Sequence, residues 1–495
     1  MTHLRFVLLS DESVVNALSE EERRFARSVV ENLSDLNQYQ QRLRLRKYQL
    51  EILRSSELTI HLHGLTVRCS GTQYVAPKGY AYRFPAGART IWLISPGFGW
   101  GYELEVVFVE ETLTVYHTRP RLEEFRINQI LKAAEHIAKI PDCEQRRTRL
   151  VVGHTNFAHF WYNELSAILE VEQELDKANQ IEVIHENFVV IEQLIDFPKG
   201  AAIIKGNAGP NGLLENGSYY AGDLVFSLGA EVFTFAAKDR VRQRLQAHQD
   251  TLAQIGYRKE RFCVWISLRA INRTPTNQEE LILLILKSLN SIGINIDVLF
   301  DGYSEPLDVA VVGRYSLEKE AAARVITNEV ARNLFEAARR LDLSNVRLIN
   351  CTGFDLPASF LAARHADFYV CHHGTQQHKI AWLWDVPGVV HTNKKVAELL
   401  PARWVREHSE GSIAPEYLPV EFISDALSPP RDGQTKLYWG DYTLLHLNRV
   451  AELICERVRS RMHALGYLPS PSEMVSRLTV RLLTDGLPPP STLGP

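Results

Sequence analysis

The chain has 495 residues, 45% hydrophobic and 23% charged, with a formal net charge of −4. That length and composition call for about two or three domains with sizeable cores and exclude a globally disordered chain. The slightly acidic balance argues against a protein built to grip nucleic acid, which presents a basic surface.

The N-terminus, MTHLRFVLLSDES, has four consecutive apolar residues before acids appear. That is too few for the apolar core of a signal peptide. No run approaches the ~20 apolar residues that span a bilayer. Cys69, Cys143, Cys263, Cys351, Cys371 and Cys455 show no CxxC or other metal-ligand spacing. They read as reduced core thiols. A cytoplasmic location is expected, with peripheral attachment at the inner face of the membrane left open.

Residues 19–56 read as helical: Ser19 and Glu22 fit a capping box, and Phe25, Val29, Leu33 and Leu36 recur at helical spacing. Residues 58–118 contain β-rich runs separated by Gly and Pro, which predicts an antiparallel meander. From about residue 121 strands alternate with helices, beginning with a helix over 121–140. That rhythm implies parallel sheets covered on both faces. The expected division is 1–120, a helical and β-meander region; 121–245, an α/β domain; 246–430, a second α/β domain; and 431–495, a C-terminal helix returning to the N-terminal domain, with a Pro-rich tail.

In a doubly wound sheet ligands sit beyond the carboxyl ends of the strands, so polar residues there are the candidates. After CVWISL come Arg269, Asn272 and Arg273. Asn277 then fits a helix N-cap, with Glu280 three residues on. Two arginines beside a helix start suit a phosphate. After DFYVC come His372, His373 and Gly374, with Thr375, Gln376 and Lys379 opening a helix. Glycine permits close approach there, and Lys379 is one turn from the same anion. His372, His373 and His378 lack a regular zinc-ligand spacing, and no metal or cofactor is expected. After RLVVG come His154, Thr155 and Asn156, then a helix on which His159 and Asn163 share a face and Glu164 adjoins it. A neutral histidine near a helix start suits a general base. Trp161 reads as core or as a platform for a sugar.

The chain has no GxGxxG, GxxxxGK[ST] or GxSxG motif and no Asp-x-Asp pair. A bound diphosphate would therefore be held by arginine, lysine and helix ends.

The segments GHTNFAHFWYNELSAIL, ISLRAINRTPTNQEEL and AARHADFYVCHHGTQQHKIAWLWDVPGVV occur in the order seen in glycosyltransferase family 61, which this chain resembles over roughly residues 150–392. The shared positions are Asn156 and His159; Arg269, Arg273, Asn277, Glu279 and Glu280; and Asp367, His373, Gly374, Pro387 and Gly388. The resemblance implies a GT-B-like α/β fold: two Rossmann-like domains facing a cleft, here with an extra N-terminal helical and antiparallel β region. It implies metal-independent, inverting sugar transfer from a nucleotide diphosphate sugar to a glycan or glycoconjugate acceptor, with no nucleic-acid partner. Arg269, Arg273, Asn277, Glu280, His372, His373, Gly374, Thr375, Gln376 and Lys379 are then the expected donor-binding set. His159, with His154 or Glu164 as substitutes, is the expected base. The alternatives are a non-catalytic nucleotide-sugar binder or scaffold of the same shape, and a nucleotide-sugar epimerase.

Overall fold

The computed structural model describes residues 5–8, 11–33, 38–62, 65–75, 79–96, 106–117, 147–152, 157–175, 181–185, 201–205, 219–221, 223–246, 260–270, 273–304, 317–399, 405, 407–425 and 440–469. The chain divides into two compact units. One comprises Met1–Ala247, Pro306–Ala321 and Glu407–Glu410; the other comprises His248–Glu305, Ala322–Arg406 and Gly411–Pro495. The helix expected over 121–140 and the tail lie outside the described residues.

In the first unit, helix Glu20–Leu33 opens on a reciprocal capping box. Ser19 Oγ accepts from the Glu22 N–H at 3.3 Å, and Glu22 Oε2 accepts from the Ser19 N–H at 3.0 Å. The meander forms as expected: strands Gly71–Val75, Gly79–Ala86, Arg89–Pro96, Val106–Val109 and Thr114–His117 pair antiparallel in chain order. Both faces carry buried side chains: Trp92, Phe108 and Val115 on one, Phe84, Ile91 and Val109 on the other. Arg5–Leu8 adds a parallel edge strand, so the apolar run at the N-terminus is spent on the sheet. A second, wholly parallel sheet has the spatial order Ala202–Lys205, Ile181–His185, Thr148–Val152, Leu224–Phe226.

The second unit is built on six parallel strands: β1 (Phe262–Ser267), β2 (Ile296–Asp301), β3 (Val346–Asn350), β4 (Phe368–His372), β5 (Gly388–His391) and β6 (Glu416–Tyr417). Their spatial order is β3-β2-β1-β4-β5-β6, the doubly wound order. All six residues of β1 are buried, as a strand covered on both faces requires. Its connecting helices include α1 (Gln278–Asn290), α2 (Leu317–Ala338), α3 (Leu356–Ala363) and α4 (Thr375–Ala381). One face packs Val264 and Ile266 of β1 on Leu281, Ile285 and Leu289 of α1. Each such side chain contributes about 1.5–3 kcal/mol of transfer free energy.

Helix α5 (Leu447–Ala464) adds Val450, Ile454 and Val458 to that same core. Its apolar stripe lies against α1, because α1 offers the matching apolar face.

The chain runs outward from β1 to β2 and β3, then crosses back to β4 on the other side of β1. Right-handed crossovers therefore put α1 and α4 on opposite faces. The carboxyl ends of β1 and β4 are thus the switch point of the sheet, where such sheets bind ligands.

Candidate functional site

The carboxyl ends of β1 and β4 gather two arginines and the glycine bend. The loop after β1 is pinned onto the start of α1 by Gln278. Its Oε1 accepts from the Arg269 N–H at 2.8 Å, and its Nε2 donates to the Arg269 carbonyl at 3.0 Å. Arg273 takes a left-handed backbone conformation, φ +48°, and is buried. Gly374 has φ +137° and ψ −164°, a region nearly confined to glycine. A Cβ placed on it would lie 3.2 Å from Arg273 Nη2 and 3.4 Å from Arg269 Nη1. Both guanidinium ends thus rest against the turn that follows β4.

Burial first, and then the Arg273 cation, pull the Arg269 guanidinium down to about 9; Tyr442 and Asp441 act the other way. The group stays charged at neutral pH. Asp441 also accepts the Thr274 N–H at 2.8 Å, which anchors this loop.

Three imidazoles line the same strand ends. His372 Nδ1 lies 2.7 Å from Ser267 Oγ at the end of β1. Its Nε2 is buried with no hydrogen-bond partner among the described residues. His373 Nδ1 lies 2.7 Å from the Tyr417 hydroxyl, and its N–H donates to the His391 carbonyl at 2.9 Å. His391 Nδ1 lies 2.5 Å from the Tyr442 hydroxyl. Burial pushes His391 down to about 4, and burial with the two arginines pushes His373 down to about 3. Burial, then Arg269, His391, Arg273 and His373, drive His372 well below its ordinary value. All three are neutral at pH 7. The site is therefore cationic through its guanidinium groups, with imidazoles serving as neutral hydrogen-bonding groups.

Other expected donor-binding residues are engaged elsewhere. Lys379 is 1% exposed, and its Nζ contacts Asp301 Oδ2 at 3.1 Å, Ser304 Oγ at 2.5 Å and Ser359 Oγ at 2.9 Å. It faces the end of β2 because Asp301 there needs a counter-charge. Asn277 makes no side-chain cap; it donates to the Leu444 carbonyl at 2.8 Å and accepts from the Leu444 N–H at 3.1 Å. Its amide matches the edge of a short strand better than the helix start. Glu280 is exposed. Gln376 donates to the Gly302 carbonyl. Thr375 begins α4, whose seven residues form too short a helix for a strong dipole. His378 stacks on Trp382 at 3.7 Å. Asp367 accepts the Cys263 N–H at 2.8 Å and so ties β4 to β1. A Cβ on Gly388 would come within 2.4 Å of Tyr369, so that glycine serves strand packing. Among the described residues, no three His, Cys, Asp or Glu side chains gather as a metal set.

Ser267, Gln278, His391, Tyr417 and Tyr442 complete the site, and the sequence patterns above do not point to them. His391 does carry a readable signal, since GVVH ends an apolar run in histidine as FYVCH does. The tyrosines carry none.

In the first unit, His159 precedes a π-helical turn, Phe160–Leu165. Such turns are frequent at functional sites. His159 is half-buried. Its Nδ1 lies 3.1 Å from Asn163 Oδ1 and 2.6 Å from the Tyr162 hydroxyl. Glu164 is 1% exposed. His154 and Asn156 lie outside the described residues. Trp161 is fully buried and stacks on Phe233 at 5.1 Å, so it is core and presents no platform to a sugar.

No protein-family model and no curated protein matches the sequence. Among solved structures, the chain is similar to a family 9 glycosyl transferase from Veillonella parvula, at 11% identity, covering 56% of this chain and 87% of that one, with a TM-score of 0.30. It is also similar to the UDP-GlcNAc 2-epimerase of Methanocaldococcus jannaschii, at 11% identity, 62% and 99% coverage and a TM-score of 0.29. A third is heptosyltransferase WaaC of E. coli with ADP, at 11% identity, 63% and 99% coverage and a TM-score of 0.29. TM-scores this low carry no argument. The fold assignment rests on strand order, and the resemblance to family 61 rests on its motifs. What strand order and site define is a mixed α/β protein with a parallel sheet in each unit and a pair of arginines meeting at a glycine turn in the second. No helix among the described residues is long and apolar enough to cross a membrane.

Proposed function

We propose that the chain is an inverting glycosyltransferase of GT-B type, moving a sugar from a nucleotide diphosphate sugar to a hydroxyl of a glycan or glycoconjugate. The observation that carries this reading is the meeting of Arg269 and Arg273 at Gly374, at the switch point of the six-stranded sheet. A diphosphate offers the paired negative oxygens that two guanidinium groups bind best.

The acceptor oxygen attacks the anomeric carbon, and the bond to the diphosphate breaks with its electron pair passing to the leaving oxygen. Arg269 and Arg273 stabilise that developing charge, and charge held in place in this way is usually the largest contribution to catalysis. His372 Nε2 lies buried at the same strand ends as a further hydrogen-bonding group for the donor. His159 takes the acceptor's proton, a role worth roughly 10²–10⁴-fold. One displacement inverts the anomeric configuration.

The test is thermal unfolding with a panel of nucleoside diphosphates and nucleotide sugars, followed by transfer assays with the donor that binds. A ligand at about 100 times its Kd stabilises by about 2.7 kcal/mol. Arg269→Ala and Arg273→Ala are each expected to weaken binding about 10- to 100-fold, while His159→Gln keeps the stabilisation and loses transfer. Undiminished stabilisation in both arginine variants overturns the donor site. A donor that binds but is never transferred or hydrolysed identifies a non-catalytic binder, and conversion without an acceptor identifies an epimerase.

A further inference from the structure

Asn163 meets His159 across the π turn, with Oδ1 3.1 Å from Nδ1. Its amide cannot rotate. Asn163 Nδ2 donates to the Ala230 carbonyl at 2.8 Å, and a carbonyl only accepts, so the atom facing it must be the nitrogen. The Asn163 main-chain carbonyl in turn accepts the Ala230 N–H at 2.6 Å. The residue is 1% exposed, which shelters both bonds from competing water. The atom facing His159 is therefore Oδ1, which has no proton to give. The contact is a hydrogen bond only when Nδ1 carries the hydrogen.

We propose that Asn163, fastened to Ala230, is a positioning residue that holds His159, when neutral, as the Nδ1–H tautomer, so that the ring's basic lone pair is on Nε2. The inference deepens the reading of His159 as proton acceptor and rests on it for its role in transfer. The tautomer itself stands on geometry.

Tyr162 contacts the same Nδ1 at 2.6 Å. Were its hydroxyl to donate, the Nδ1 lone pair would face the lone pairs of Asn163 Oδ1 at 3.1 Å, a repulsive pairing. With Nδ1 protonated, the phenol oxygen accepts and shares that N–H. Burial pushes the Tyr162 hydroxyl up, so it remains a neutral phenol. Its ring is braced by His408 at 5.1 Å, whose own Nδ1–H donates to the Glu231 carbonyl at 2.8 Å. A buried group that orients an imidazole through Nδ1 is the device by which enzymes keep a histidine in its basic tautomer.

Imidazole ¹⁵N spectra of the full chain read the tautomer directly, and His159→Gln identifies its signals among the 17 histidines. The expected result is Nδ1–H in the parent and Nε2–H in Asn163→Leu, with Tyr162 then donating. Tyr162→Phe keeps Nδ1–H. Asn163→Asp puts a second oxygen against the Ala230 carbonyl, so the buried acid keeps a proton to donate there and its other oxygen still accepts from Nδ1–H. A purely structural asparagine would leave the tautomer unchanged in Asn163→Leu. Should Asn163→Leu not fold, the parent spectrum decides alone. A parent spectrum showing Nε2–H, or a folded Asn163→Leu that keeps Nδ1–H, overturns the proposal. These spectra do not depend on turnover. The expected tautomer with no transfer from any nucleotide sugar would count against the glycosyltransferase reading and leave the role of Asn163 standing.

Discussion

Two places on the carboxyl edge of one sheet treat their cations in opposite ways. At the end of β2, Lys379 sits 3.1 Å from Asp301 and is wrapped by Ser304 and Ser359. At the ends of β1 and β4, Arg269 and Arg273 converge on Gly374, and each makes the other's charge harder to hold. A buried cation matched to a carboxylate belongs to the core. Two like charges brought together at a glycine bend repel each other, so their meeting there works against stability.

The largest effect should come from breaking the matched pair. Lys379→Met leaves Asp301 buried and uncompensated, so denaturant unfolding should show a loss of about 3–5 kcal/mol. Adding Asp301→Leu should recover most of it. Arg269→Met should cost less, since it removes a like charge from beside Arg273. A loss as large as that of Lys379→Met would erase the contrast between the two places.

Gly374→Ala comes next. It forces a side chain into a conformation nearly exclusive to glycine, at about 1–3 kcal/mol. It also pushes on both guanidinium ends. Tm and nucleoside diphosphate affinity should fall together. An unchanged affinity would place the anion elsewhere.

The smallest step, taken per histidine and per pH unit, is in pH. His373 and His391 bind protons in the folded chain only near pH 3 and 4, whereas unfolded histidine does so near 6.5. Between those values the unfolded chain holds more protons. Stability is therefore complete above about pH 6.5 and falls as the pH drops, by up to about 1.4 kcal/mol per pH unit for each histidine. Urea midpoints of the parent and of His391→Gln across pH 4–7 would check this, the variant showing the shallower fall.

Much of the architecture was legible because its signals are local. The capping box of Ser19 and Glu22, the meander and the strand–helix rhythm each depend on residues a few positions apart. Arg269, Arg273 and Gly374 were legible for a related reason: polar residues directly after an apolar run stand at the one edge where a parallel sheet exposes ligands. Lys379 and Asn277 looked the same in the sequence. Their partners are 78 and 167 positions away, and no local pattern records such distances.

By itself, then, the sequence determined which segments become strands and helices and which strand ends carry charge, since burial periodicity and turn chemistry act over short range. Tertiary structure alone decided which of those charges are spent on the core and which converge. It seated Lys379 on Asp301, set Tyr417 and Tyr442 against the histidines, and tied Asn163 to Ala230. The physical reason is that a polar side chain buried on folding must find its partner wherever the fold brings one.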